Sequence, residues 1–213
     1  MATINDIIKA YYLHRSQGMM NELNNLHKKH FGKNKITQLM AKDIFEGTHQ
    51  ERLKYEPKIN YAKTFITTCQ RLMTSSLLAN NYANFEDLYN DVENMLFNGN
   101  NKIKGIGKLT VYDIALRIGY VRNNQILPKK KIYLYAGAFQ GANNLFQCNP
   151  SLFNVTSIKP GCYDMTIFNA PLNQMPSMFL EDMFCVYHSL LKSYHSAGYN
   201  IFQNVKMSYK PCK

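Results

Sequence analysis

Apolar residues recur along this chain mostly at the three-and-four spacing of helices. In the opening segment Ile7, Ile8, Tyr11 and Tyr12 share one stripe, and Asn5 is the expected cap. Phe65, Ile66, Cys69, Leu72, Met73 and Leu77 repeat the pattern over residues 61–78. Leu88, Val92, Met95 and Leu96 do so over 85–97, opened by the cap pair Asn84 and Asp87. Further helices are predicted over 108–117, stopped by Gly119, and over 129–146, with Pro128 at the start, where proline suits a first helical turn. The last covers 176–194, carrying Phe179, Met183, Phe184, Tyr187, Leu190 and Leu191.

The connectors are polar. Residues 28–35 read as a basic loop and 46–57 as irregular. The stretch near 148–176, with Pro150, Pro160, Pro171 and Pro176, reads as loop-rich with a short hairpin around 165–168. Gly137 and Gly141 lie four apart on one helix face, where small residues admit another backbone. Each costs the helix about 1 kcal/mol, so a compensating helix–helix contact is expected. The expected fold class is mainly α, a multi-helix single domain over 1–213.

Composition narrows the function classes. The 213 residues are 46% hydrophobic and 18% charged, a globular balance. No apolar run approaches the roughly 20 residues that span a bilayer, so no membrane partner is expected. Residues 1–8 lack a basic start followed by an apolar core, hence the expectation of no signal peptide and a cytoplasmic location. Cys69, Cys148, Cys162, Cys185 and Cys212 form no Cys-x-x-Cys pair, and the histidines form no His-Glu-x-x-His pattern. No metal and no cofactor is therefore expected. His27 and His30, separated by Lys28 and Lys29, read as part of the solvated basic loop. Glu181 and Asp182 read as partners for lysines or caps.

Charge placement points further. The formal net charge is +11, and residues 102–131 hold eight bases against the single acid Asp113, a net +7. Upstream, Glu86, Asp87, Asp91 and Glu93 have no basic neighbour over 84–97. Segregation of this kind favours a polyanionic partner. Asp113 is read as the i+4 partner of Arg117, and Tyr112, Tyr120, Tyr133 and Tyr135 as core or rim, although interleaved aromatics also serve as stacking platforms.

At the centre of the basic segment stands Ile103-Lys104-Gly105-Ile106-Gly107-Lys108-Leu109-Thr110, an apolar-Gly-apolar-Gly turn opening a helix. It resembles the helix-hairpin-helix motif, a non-specific binder of DNA backbone, with the core of the resemblance over about 84–146. Gly105, Ile106 and Gly107 would shape the turn, with Ile106 plugging the core. The N–H groups of the following helix would take a phosphate. Lys104, Lys108 and Thr110 would contact the backbone, and Lys129, Lys130 and Lys131 would reach a second phosphate run. The run over 103–146 also resembles the core of the helix-hairpin-helix DNA glycosylases. There, however, Leu109 stands at the nucleophilic lysine's place, and Lys129 to Lys131 at that of the aspartate after the proline. The resemblance thus implies non-catalytic, sequence-tolerant DNA binding, with no catalytic residue assigned. Two alternatives stay open: a diverged glycosylase- or lyase-like enzyme, with Lys108 as the one candidate amine, and a protein-interaction module using the acidic 84–97 helix.

Overall fold

The computed structural model describes residues 3–48 and 56–192 and is mainly helical with one two-stranded sheet. The described residues gather into two compact units, 3–21 with 128–192, and 22–48 with 56–127. The division falls within the helix Ser16–His30 and again just before Pro128, so the 84–146 segment contributes to both units.

The first unit contains α1 (Ile4–His14), the start of α2 (Ser16–His30), β1 (Lys131–Leu134), α7 (Ala136–Cys148), β2 (Gly161–Asp164), α8 (Ser177–Val186) and α9 (His188–Lys192). Thr3, not Asn5, caps α1. Its hydroxyl accepts from the Asp6 N–H while the Asp6 carboxylate accepts from the Thr3 N–H, a reciprocal capping box. Ile4, Ile7, Ala10 and Tyr11 face inward, whereas Tyr12 is 41% exposed.

The helix expected over 129–146 is in part a strand. Ile132, Tyr133 and Leu134 are all buried, and β1 pairs antiparallel with β2 with Lys131 opposite Asp164. A short apolar run rich in β-branched and aromatic residues suits either state, and the partner strand decides. That partner lies just before the expected 165–168 hairpin, where the chain instead makes a 3-10 turn over Met165–Ile167. Pro128 opens no helix; its carbonyl accepts from the Ser177 hydroxyl at 2.8 Å.

Helix α7 does carry Gly137 and Gly141 against α8. A Cβ at Gly141 would lie 2.7 Å from the Phe184 carbonyl carbon and closer still to its oxygen. One at Gly137 would lie 2.8 Å from Cys185 Sγ. The long helix expected over 176–194 breaks at Tyr187 into α8 and α9, and residues 193–194 lie outside the described residues. Asp182 pairs with an arginine rather than a lysine: its carboxylate accepts from Arg15 Nε and Nη2 at 3.0 and 2.9 Å, and from the Tyr11 hydroxyl at 3.0 Å. Burial, with this carboxylate adjacent, pushes the Tyr11 phenol far above its usual range.

The second unit contains the remainder of α2, then α3 (Gln38–Glu46), α4 (Tyr61–Thr74), α5 (Phe85–Leu96) and α6 (Lys108–Val121). Helix α2 runs on to His30 where a basic loop was expected. His30 is buried, with Nε2 2.7 Å from the Asp43 carboxylate, and Lys29 reaches the same oxygen at 2.7 Å, which fastens α2 to α3. His27 sits 3.0 Å from the Tyr120 carbonyl. Both histidines are therefore packing elements. Of the expected irregular segment 46–57, residues 49–55 lie outside the described residues.

Helix α6 is buried on every side from Thr110 to Val121, as its nearly continuous apolar sequence requires. It does not stop at Gly119. There the Ile126 backbone folds back onto the helix, and a Cβ would stand 3.2 Å from the Ile126 carbonyl carbon and closer to its oxygen. This glycine permits a close approach instead of ending the element.

Candidate functional site

Helix α5 begins at Asn84, whose side chain accepts from the Asp87 N–H at 3.0 Å, so the predicted cap and start are found as expected. After Leu96 the chain makes a 3-10 turn over Gly99–Asn101, and the Ile103 N–H returns to the Leu96 carbonyl at 3.0 Å. The Ile106 N–H then closes a tight turn on the Ile103 carbonyl at 3.1 Å, with Gly105 at φ +94°. That angle lies in the region side chains disfavour, and it is what requires glycine there. Ile106 is 3% exposed, the expected plug. Across from it, the Thr64 hydroxyl of α4 donates to the Lys104 carbonyl at 2.8 Å and fixes the outer edge of the turn.

Helix α6 opens at Gly107, which is extended (φ −118°) and supplies no side-chain cap. A Cβ there would meet nothing within 4 Å. The space beside Gly107 at the start of α6 is thus open, and the bases nearest it in sequence are Lys104, which is exposed, and Lys108, which is 49% exposed. Thr110, expected to touch a phosphate, is 5% exposed and turned into the unit. Leu109 is half-buried and carries no group for chemistry.

The basic segment is less uniform than its sequence. Arg117 is 8% exposed: its Nη2 donates to the Glu22 carboxylate at 2.6 Å and to the Gly47 carbonyl, and its Nη1 lies 3.9 Å from Asp113. The expected i+4 pair exists, but Arg117 also ties α2 and the end of α3 to α6. Arg122 donates to the Leu78 and Asn80 carbonyls at 3.0 and 2.6 Å, and to Leu77, closing the segment after α4. Burial lowers its guanidinium below the ordinary value. Both arginines are spent on the fold, which leaves Lys102, Lys104 and Lys108 as the exposed bases of this part of the second unit. Lys102 lies over the Phe97 ring at 5.1 Å.

Lys129, Lys130 and Lys131 are exposed but belong to the first unit, at the entrance to β1. The Asp164 carboxylate opposite them sits below the usual range, first because of the hydrogen bonding it accepts from Thr166 and then because of Lys131 and Lys130. Tyr112, Tyr120, Tyr133 and Tyr135 are all buried, so they are core and not stacking platforms.

Three residues that shape the turn were not singled out from sequence as doing so: Thr64, Tyr89 and Glu93. Glu93, on the last turn of α5, sits 3.3 Å from Lys108 Nζ, and the Tyr89 hydroxyl donates to the same carboxylate oxygen at 3.3 Å. The acidic run 84–97 hinted at Glu93, whereas nothing in sequence marks Thr64.

Among the described residues no group of three His, Cys, Asp or Glu side chains gathers in a way that could hold a metal ion. Burial pushes the Cys69 thiol up to about 11, and Cys212 lies outside the described residues. No described helix is long and apolar enough to cross a membrane. No protein family, curated protein or solved structure matches the chain.

Proposed function

We propose that the second unit binds the phosphate backbone of nucleic acid, DNA in the first instance, without reading sequence and without catalysis. The observation that carries this reading is the start of α6: its N-cap is Gly107, which offers no side chain and has open space where a Cβ would stand, reached through a glycine turn and flanked by Lys104 and Lys108. Helix N–H groups and lysines recognise phosphate oxygens irrespective of base, so contacts of this kind position a duplex without specifying it. The likeness to the helix-hairpin-helix is part of the same proposal. The connector between α5 and α6 is longer than a bare glycine hairpin, because it includes the 3-10 turn over Gly99–Asn101.

The salt dependence of binding to a labelled duplex tests the reading. Lys102, Lys104 and Lys108 alone neutralise about three phosphates, for a slope of log K against log[salt] near −2.7 at ~0.9 per phosphate. If Lys129, Lys130 and Lys131 also engage the ligand, the slope approaches about −5.4, and replacing that triplet with glutamine returns it to about −2.7. Absence of binding at low salt, or a flat salt response, refutes the proposal.

A further inference from the structure

The lysine that α6 presents beside the turn already has an anionic partner. Lys108 Nζ stands 3.3 Å from Glu93 Oε1, and the two ends of this pair are held very unequally. The Glu93 side chain is 15% exposed and anchored by the Tyr89 hydroxyl one turn back on α5, with Tyr89 itself only 5% exposed. The Lys108 side chain is 49% exposed, on a long stem with rotatable donors. The carboxylate is fixed, and the ammonium is the partner able to move.

We propose that Glu93 is a built-in competitor for Lys108, a carboxylate that occupies the lysine in the empty protein and sets the affinity and ligand class of the anion site. This rests on the phosphate-binding reading above. Carboxylate and phosphate oxygens are alternative acceptors for the same three ammonium protons, so a ligand must displace the first to gain the second. A half-exposed pair of this type is weak enough to exchange. An isolated phosphate gains one lysine and meets the negative charge that Glu93 leaves behind. A polyanionic chain adds contacts to Lys104 and Lys102 and outweighs that repulsion. Glu93 therefore selects for an extended phosphate backbone and against inorganic phosphate.

The test is fluorescence anisotropy with a labelled mixed-sequence DNA duplex across a salt series, with inorganic phosphate as competitor. It uses the wild-type chain, Glu93→Gln, Glu86→Gln, Lys108→Ala and the Glu93→Gln/Lys108→Ala pair. Glutamine keeps an oxygen for Tyr89, and melting curves check that folding is retained. Freeing Lys108 is expected to tighten duplex binding up to about fivefold, the span of a surface ion pair, with the salt slope nearly unchanged because the bound duplex meets Lys108 in both proteins. Inorganic phosphate should compete better against Glu93→Gln than against wild type. Glu86→Gln makes the same charge change about 10 Å away along α5 and should have a smaller effect. In the Lys108→Ala background the gain should vanish.

Wild-type binding with no gain in Glu93→Gln, or a gain that survives Lys108→Ala, overturns the competitor role and leaves the phosphate-binding reading standing. Absence of binding by both proteins overturns both. Should Glu93→Gln fail to fold, Glu93→Asp withdraws the carboxylate by one methylene. A smaller gain in the same direction is then expected, and no gain counts against the proposal.

Discussion

The two glycines of the turn should respond in opposite ways to the same added methyl group. Gly105 sits at φ +94°, where an L-residue crowds its own carbonyl neighbours, and Gly105→Ala should cost about 1–2 kcal/mol of stability. For a chain of this size that is a melting-temperature drop of roughly 2–8 °C. Gly107 is extended, and a Cβ there meets nothing within 4 Å. Gly107→Ala forfeits the preference of an N-cap for glycine over alanine and meets no strain, so it should cost no more than about 1 kcal/mol. Its methyl nevertheless occupies the space from which a phosphate would approach the first N–H groups of α6, at hydrogen-bond distances near 2.9 Å. Duplex affinity should fall about tenfold in Gly107→Ala, with the salt slope nearly unchanged because no charge is lost. Urea unfolding and anisotropy on the same preparations separate the two effects. A Gly105→Ala protein as stable as wild type would refute the turn argument. Unchanged affinity in Gly107→Ala would show that the open space over α6 is not where the ligand sits.

Two further expectations follow from packing and charge. Gly141→Ala drives a Cβ into the Phe184 backbone, which has no flexible end to yield, so the usual helix gain of alanine is reversed and about 1–3 kcal/mol is lost by urea unfolding. Burial raises the Asp43 carboxyl, but its bonds to Lys29 and His30 outweigh this and leave it below the ordinary value when folded. Its stabilisation is therefore complete above the unfolded value near pH 3.9 and fades as pH falls through the lower folded value. Asp43→Asn should flatten the stability profile below about pH 4, and an unchanged acid limb would show that the pair contributes nothing.

Local chemistry made some features legible in the sequence. The start of α5 follows from the side chain of Asn84 three residues ahead of an N–H it can reach, and the turn at Gly105 and the helix after it follow from residues within a few positions. Arg117 was legible only in part, since its i+4 partner Asp113 is local, whereas Glu22 and the Gly47 carbonyl are remote. The net +7 of residues 102–131 was therefore real as a count and misleading as a surface, because two of its arginines are consumed in joining helices.

Tertiary pairing decided the rest. The apolar run Ile132 to Leu134 carries no periodicity long enough to choose between helix and strand, and it became β1 because β2, far along the chain, supplies the backbone partners it lacks. Gly119 looked like a terminator but lies inside α6, since its role depends on where the Ile126 backbone returns. His30 extends α2 because Asp43 waits for it on α3. Lys108 met Glu93 only through the packing of α5 on α6. The sequence by itself determined the cap and inward face of α5 and the turn at Gly105, for which the interacting atoms lie within about one helical turn. Strand pairing, the burial of charge and the company kept by the candidate site depend on atoms tens of residues apart, and only folding sets those distances.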